Sequence, residues 1–442
     1  MRQSARHAAV EALLQVEENA GYSNIVIDKV LRSYEWDIRD KRLAAAIFYG
    51  TLEKQLTLDY YLSCGLKTPE KKLEPLAQVI LRSAAYQIFY MDKIPDSAAV
   101  NEAVNLTRDF RKPALAGFVN AVLRSVLRQK ASLTLPGGET IRELSIRYSV
   151  PEALIALWRQ SYGKETALRL LSSFAEKGRT YIRINNCKAT VNEILESFKK
   201  DSVQFEKTIL PQAFAVDGEG SVGDWPAFRQ GGFHVQDLSS QLACGLVDPK
   251  PGDRVLDCCA APGGKSFTMA EMMENRGELL AFDLYKGRVR LIQNGAERLG
   301  LSVIKAARHD ALEPWTYGAE FDRVLCDVPC SGYGVIAKKP EIRYKPVQSA
   351  AQLPEIQYRI LANTAGLVKP GGRLVYSTCT LNPAENGEVA GRFLAENPGF
   401  KPAELTLPPG IERIVPEPRH MLTMLPFAGA SDGFFTAVFE KI

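Results

Sequence analysis

The stretch "DRVLDCCAAPGGKSFTMAEMM", Asp253 to Met273, passes from an apolar run, through a turn of small residues, into a run with helical spacing. Strand, tight turn, helix is the unit from which doubly wound sheets are built. The unit recurs downstream. "ELLAFD", "SVIKAARHD", "FDRVLCDV", "GRLVYSTC" and, near the end, "FFTAVFE" read as strands. Between them "GRVRLIQNGAERLG", "QLPEIQYRILANTAGLV" and "AENGEVAGRFLAE" read as helices. Residues 233–442 are therefore expected to form a Rossmann-like, mostly parallel α/β domain, with ligands bound beyond the carboxyl ends of its strands.

Upstream the pattern changes. Residues 1–139 carry apolar residues at three- and four-residue spacing, broken at Gly21, Gly65, Pro69, Pro95 and Pro113. They predict an all-α domain, with Ser97 as a helix cap and "LPGGE" (Leu135 to Glu139) as its closing linker. Residues 140–232 mix the two periods. "TYIRIN" and "FAVDG" read as strands and "TVNEILESFKK" as a helix, which predicts a small α/β subdomain without a chemical constellation. The chain is thus expected to be multidomain, with divisions near 139 and 232.

Composition narrows the function classes. No run of about 18 apolar residues is present, and Glu11, Glu17 and Glu18 stand where a signal peptide needs an apolar core. A cytoplasmic protein without a membrane anchor is expected. Eight cysteines in 442 residues are too sparse for a disulfide scaffold, and neither they nor the four histidines show ligand spacing, so no metal site is expected. The net charge of +4 is small, but Arg108, Arg111, Lys112, Arg124, Arg128 and Lys130 are opposed only by Asp109 in their segment. Such a basic stretch on a helical module suits a polyanion.

The strand ends carry the chemistry. After the first strand, Cys259, Ala260, Ala261, Pro262, Gly263, Gly264 and Lys265 form a turn whose small residues let backbone approach a ligand at a helix N-terminus. Its glycines lack dinucleotide spacing, so a nucleoside with a charged tail fits better. Asp283 closes the second strand, 20 residues beyond Gly263, where an acid accepts ribose hydroxyls. Asp310 closes the third, toward an adenine edge. The fourth strand ends "LCDVPCSG" with Asp327 and Cys330, and the fifth ends "YSTCT" with Cys379. Two cysteines at neighbouring strand ends, beside a carboxylate, suggest a thiolate function. Cys64, Cys187, Cys244 and Cys326 read instead as small buried hydrophobes, as does Cys258.

"CCAAPGGK", "CDVPCSG" and "YSTCT", in this order, resemble the motifs of the RNA (cytosine-5)-methyltransferase family. "GGFHVQDLSSQL" (Gly231 to Leu242) and "SDGFFTAVFEK" (Ser431 to Lys441) are similar to its flanking motifs, and the helical segment ending "FVNAVLRSVLRQK" is similar to NusB-like RNA-binding domains. That fusion is typical of members acting on small-subunit (16S) ribosomal RNA. The resemblance implies S-adenosyl-L-methionine as cofactor, held by the Cys259–Lys265 turn, Asp283, Asp310 and Asp327, and a monomer with ribosomal RNA as partner. It also implies that Cys379 attacks cytosine C6, that Cys330 assists release, and that Asp327 acts near N3 of the base. Members usually carry Thr where Tyr333 stands here; the ring either stacks on RNA or fills the loop. DNA cytosine methyltransferases attack with the cysteine of the "PC" motif, which would make Cys330 the nucleophile. Two other functions stay open: the same reaction on transfer RNA or another ribosomal RNA site, and an RNA-binding assembly or antitermination factor with an inert transferase domain.

Overall fold

Apolar residues at helical spacing close a core when several helices present them to one another. The computed structural model describes residues 4–19, 23–69, 71–176, 178–218, 220–318, 320–427 and 431–442; Gly21, one of the expected breaks, lies outside them. Two compact units result, Met1–Gln160 with Lys338–Lys345, and Ser161–Ala337 with Pro346–Ile442.

In the first unit, helix Pro75–Tyr90 starts on a proline, where the missing amide costs nothing, and buries Ile80, Leu81, Ala84 and Ala85 among its neighbours. Gly50 of helix Ile38–Glu53 lies so close to this helix that a Cβ would meet the Tyr86 ring at 1.9 Å. Ser97 is not a cap: helix Asp96–Asp109 begins one residue earlier, behind Pro95, with Asp96 placing negative charge in its first turn. Nor is "LPGGE" a free linker. The Arg147 guanidinium donates to the carbonyls of Pro136 and Gly138, and helix Ile141–Tyr148, capped reciprocally by Thr140 and Glu143, belongs to this unit. The unit is completed by a short turn from far along the chain, Pro340–Tyr344. There the Tyr344 hydroxyl donates to the Glu53 carbonyl at 2.9 Å, and Glu341 accepts from the Ser23 amide at 3.2 Å.

The second unit holds two sheets. Strands β1 (Thr180–Ile184), β2 (Gln204–Lys207), β3 (Ala213–Asp217) and β4 (Phe233–Val235) pair in the order β2-β3-β1-β4, all antiparallel, and helix Val191–Lys200 covers them with Ile194 and Phe198. The larger sheet contains β5 (Arg254–Asp257), β6 (Glu278–Asp283), β7 (Ile304–Arg308), β8 (Phe321–Asp327), β9 (Val368–Thr378), β10 (Phe400–Pro402), β11 (Met421–Met424) and β12 (Phe434–Lys441). Its order is β10-β12-β9-β8-β5-β6-β7, with β11 on β12. Pairing is parallel from β7 across to β9, and β12 runs antiparallel to β9. Successive residues feed opposite cores. Val255, Leu279, Leu325 and Val375 pack on one face, and Leu256, Leu280, Val324 and Leu374 on the other.

The chain moves outward from β5 to β7 and then returns to place β8 on the other side of β5. At that reversal the loops leaving β5 and β8 diverge and open a crevice at their carboxyl ends.

Arg82, only 9% exposed, pairs with both oxygens of Asp59 at 2.8 and 2.7 Å and with Glu17 at 3.0 Å. Arg82→Ala leaves two partly buried carboxylates without their cation. Unfolding of the variant by urea is expected to show a loss of about 3 kcal/mol in the helical unit.

Candidate active site

The turn after β5 is set by its own small residues. Gly263 has φ of 111°, and a Cβ there would meet the Phe267 ring at 2.4 Å, so glycine is required twice over. Helix Gly264–Met272 follows, and its first amides have no partner within the helix. Asp283, at the end of β6, is buried; its two oxygens accept the amides of Ala261 at 3.3 Å and Tyr285 at 3.2 Å. Arg288 donates to the Ala261 carbonyl at 2.9 Å and stands 3.5 Å from Asp283. The acid thus ties the second strand end to the turn of the first. Asp310, at the end of β7, is half-buried and uses one oxygen to accept the Leu312 amide at 3.0 Å.

The cysteines of the turn are not thiolates. Cys258 and Cys259 lie 3.8 Å apart, and Cys259 is pushed well up by its contact with Cys258 and by burial. Of the others expected to pack, Cys244 and Cys326 are buried, Cys64 is half-buried, and Cys187 is exposed. Cys187 follows β1 in a turn and is exposed, with its sulfur 3.9 Å from the Glu271 carbonyl, so that expectation fails for this residue.

Lys265, Asp327, Cys330 and Cys379 are brought together. The Lys265 ammonium donates to Asp327 Oδ2 at 2.8 Å, and the Ser377 hydroxyl donates to Oδ1 at 2.8 Å. Asp327 is therefore held as an acceptor at both oxygens, the arrangement of an ionised carboxylate. Burial alone would lower the Lys265 pKa, but Asp327 outweighs it and the net direction is up, so the lysine stays charged. The Cys379 sulfur lies within the field of this ammonium. Cys330 Sγ lies 3.3 Å from Cys379 Sγ. The Cys330 thiol is pushed well up by its hydrogen bond to Cys379, by burial, and by the negative charges of Glu385 and Asp327. The Lys265 ammonium thus acts on Cys379, and the charges of Glu385 and Asp327 act on Cys330.

Sequence reading missed the supports of these loops. Lys265 was visible only as part of a turn; nothing in its spacing reveals the pair with Asp327. Ser377, Gln357, Thr380 and Glu385 carry no spacing signal either, because their partners lie tens of residues away. Tyr333 is 1% exposed and its hydroxyl is pushed up to about 12, chiefly by burial, so its ring fills the loop and does not face RNA. Among the described residues no group of three His, Cys, Asp or Glu side chains could hold a metal, and no helix is long and apolar enough to cross a membrane.

A profile described as 16S rRNA methyltransferase RsmB/F matches residues 244–440, and one for the NusB family matches residues 3–128. "Probable ribosomal RNA small subunit methyltransferase B" of Bacillus subtilis (strain 168) is 38% identical over 444 residues, covering 99% of each chain. The protein of the same name from Synechocystis sp. is 34% identical over 447 residues, again covering 99% of each. The chain belongs to the ribosomal RNA small subunit methyltransferase B family. One solved structure superposes on the whole chain with a TM-score of 0.85 at 26% identity, covering 100% of this chain and 99% of that one. A "Methyltransferase Homolog Protein from Pyrococcus Horikoshii" does so over 69% of this chain and 100% of its own, with a TM-score of 0.60 and 26% identity. The chain thus joins a NusB domain to a C-terminal S-adenosylmethionine-dependent methyltransferase fold, as the motifs implied.

Asp257, beneath the turn, is 1% exposed, and burial raises its carboxyl to about 7 despite a hydrogen bond from Ser266 at 2.7 Å. A carboxyl with a raised folded pKa stabilises the fold when protonated and loses that contribution as pH climbs through about 4 to about 7. Asp257→Asn mimics the protonated form. Its melting temperature is expected to match the parent near pH 3.5, to exceed it already at pH 5 and to exceed it most at pH 8, measured by calorimetry.

Proposed function

We propose that this protein methylates C5 of a cytosine in small-subunit (16S) ribosomal RNA, with S-adenosyl-L-methionine as methyl donor. The observation that carries the reading is the Cys330–Cys379 pair, 3.3 Å between sulfurs, beside the Lys265–Asp327 ion pair at the crevice where strand order reverses. The Cys259–Lys265 turn, Asp283, Asp310 and Asp327 are the residues we assign to the cofactor, which supplies an electrophilic methyl group when bound. The close Gly263 turn, the helix N-terminus behind it and acids at the next two strand ends suit a nucleoside with a charged tail.

Cytosine C5 is a weak nucleophile. Addition of the Cys379 thiolate to C6 pushes electrons onto C5 and toward N3, so that C5 can take the methyl group. Lys265 stabilises the thiolate before attack. Asp327, whose oxygens both act as acceptors, accepts from the exocyclic amino group and orients the ring. After transfer the C5 proton must leave; the C5–H electrons then form the C5–C6 double bond and the C6–S bond breaks, returning its pair to Cys379. Cys330 stands where it can relay that proton. In this reading the unit built on Met1–Gln160, longer than the 1–139 expected, binds RNA, residues 161–232 follow it in sequence, and residues 233–442 carry the catalysis. An inert transferase domain is disfavoured because both thiols and the cofactor acids are intact.

RNA capture is assigned to the basic face near residues 108–130. Lys112 pairs with Glu74 at 3.0 Å and Lys130 with Asp96 at 2.8 Å, whereas the exposed Arg124 meets, among the described residues, a neutral Asn120 in its own helix, and Arg128 is exposed beside it. Arg124→Ala with Arg128→Ala is expected to weaken RNA binding and to flatten the salt dependence by about 1.5 in log–log slope, read by fluorescence anisotropy. The thiol roles separate on a denaturing gel. Cys379→Ser is expected to bind RNA and cofactor yet form neither adduct nor 5-methylcytosine. Cys330→Ala should methylate, then stall as a covalent protein–RNA band, because losing a proton-transfer group costs about 10²–10⁴ in rate. Trapping by Cys379→Ser with an inert Cys330→Ala would reverse the roles.

A further inference from the structure

The turn that follows "YSTCT" reads "LNPAENG", Leu381 to Gly387. Its Glu385 is completely buried. One carboxylate oxygen accepts the Ser331 amide at 2.8 Å and the Gln357 side-chain amide at 2.9 Å; the other accepts the Asn382 side-chain amide at 2.8 Å. Every one of these partners is an N–H donor, as an ionised carboxylate requires. Gln357 also donates to the Pro329 carbonyl at 2.9 Å. Glu385 therefore grips the chain on both sides of Cys330, directly at residue 331 and through Gln357 at residue 329. The next residue does the same for the other thiol. Asn386 accepts the Thr378 hydroxyl at 2.6 Å and donates to the Thr380 carbonyl at 2.9 Å, the two neighbours of Cys379. The loops are then joined by Ser331 and Thr380, whose hydroxyls lie 2.6 Å apart, and by the Gly334 amide on the Cys379 carbonyl at 3.0 Å.

Two adjacent residues thus hold one cysteine each, and their covalent adjacency fixes how close the sulfurs come. The two residues differ in charge. Asn386 is neutral, whereas Glu385 adds a buried anion beside Cys330. The charged and titratable groups facing Cys330 are Cys379 and Tyr376 on the β9 side, Asp327 on β8 and Glu385 on the turn; the ammonium of Lys265 is spent on Asp327 and lies toward Cys379.

We propose that Glu385 is the positioning residue that assigns the two thiols their roles: it fixes the Cys330 loop at both flanks and sets its buried negative charge on the Cys330 side of the pair. The assignment of those roles rests on the reaction proposed above. The electrostatic part does not, because it can be read on the protein alone.

The test compares Glu385→Gln, which keeps the shape and removes the charge, with Glu385→Asp, which keeps the charge. Full-length protein is alkylated with iodoacetamide across a pH series, and each cysteine is followed by peptide mass spectrometry. In the parent, Cys379 is expected to react at lower pH than Cys330. In Glu385→Gln the Cys330 midpoint should fall by about one pH unit, with Cys258 and Cys259 unmoved, while Glu385→Asp leaves the midpoint in place. With RNA and cofactor, Glu385→Gln should lower kcat by about tenfold or more with the KM for cofactor unchanged, and should accumulate the covalent RNA band. An unmoved Cys330 midpoint in Glu385→Gln overturns the proposal. So does an equal rise in reactivity at all four cysteines in both variants, which would mark a merely structural residue. A shifted midpoint in a protein whose parent makes no 5-methylcytosine would sink the proposed reaction and leave the role of Glu385 standing.

Discussion

Parallel pairing of β8 with β5 is the constraint on which the site depends. β5 is bonded to β6 on one side and to β8 on the other, so two loops distant in sequence leave the sheet as neighbours. Buried on both faces, these strands cannot slip by one residue without exchanging their two cores. Val255 and Leu325 would then face the layer now filled by Leu256 and Val324. The register that packs the cores is thus the register that sets Lys265 against Asp327 and, through β9, Cys379 against Cys330.

The ion pair between Lys265 and Asp327 joins the loops after β5 and β8 with little exposure, and Ser377 from β9 completes it. An isolated ammonium or carboxylate there would carry a large desolvation cost, which the pair and its hydrogen bonds offset. The same fixed charges divide the thiols. The Lys265 ammonium acts on Cys379, and Glu385 and Asp327 set negative charge near Cys330.

Rigidity around the sulfurs comes from polar groups more than from apolar packing. Glu385, Asn386, Gln357, Ser331 and Thr380 bind backbone or each other on every side. Tyr333 closes the loop from beneath, and Gly334 lies so close to Gly433 that a Cβ would meet its carbonyl at 1.9 Å. Such a network leaves few alternative positions for either thiol, because each displacement strands a buried polar group.

Local sequence determined the strands and helices of the catalytic part, the tight turn at Gly263, and the residue types at each strand end. Those features depend on periodicity, on backbone sterics at glycine and on side-chain chemistry, all of which are written within a few residues. The basic charge of residues 108–130 was legible as composition, but not that Lys112 and Lys130 are already neutralised by Glu74 and Asp96, which lie elsewhere in the chain. The cap at Ser97 and the linker at Pro136–Gly138 were misread because Pro95 and Arg147, respectively, decide those ends. Only the tertiary structure decided that Lys265 serves Asp327, that Pro340–Tyr344 completes the helical unit, and that Glu385 and Asn386 each clamp one cysteine. The physical reason is distance along the chain. A buried charge or amide needs a partner, and strand order, not spacing in sequence, determines which partner arrives.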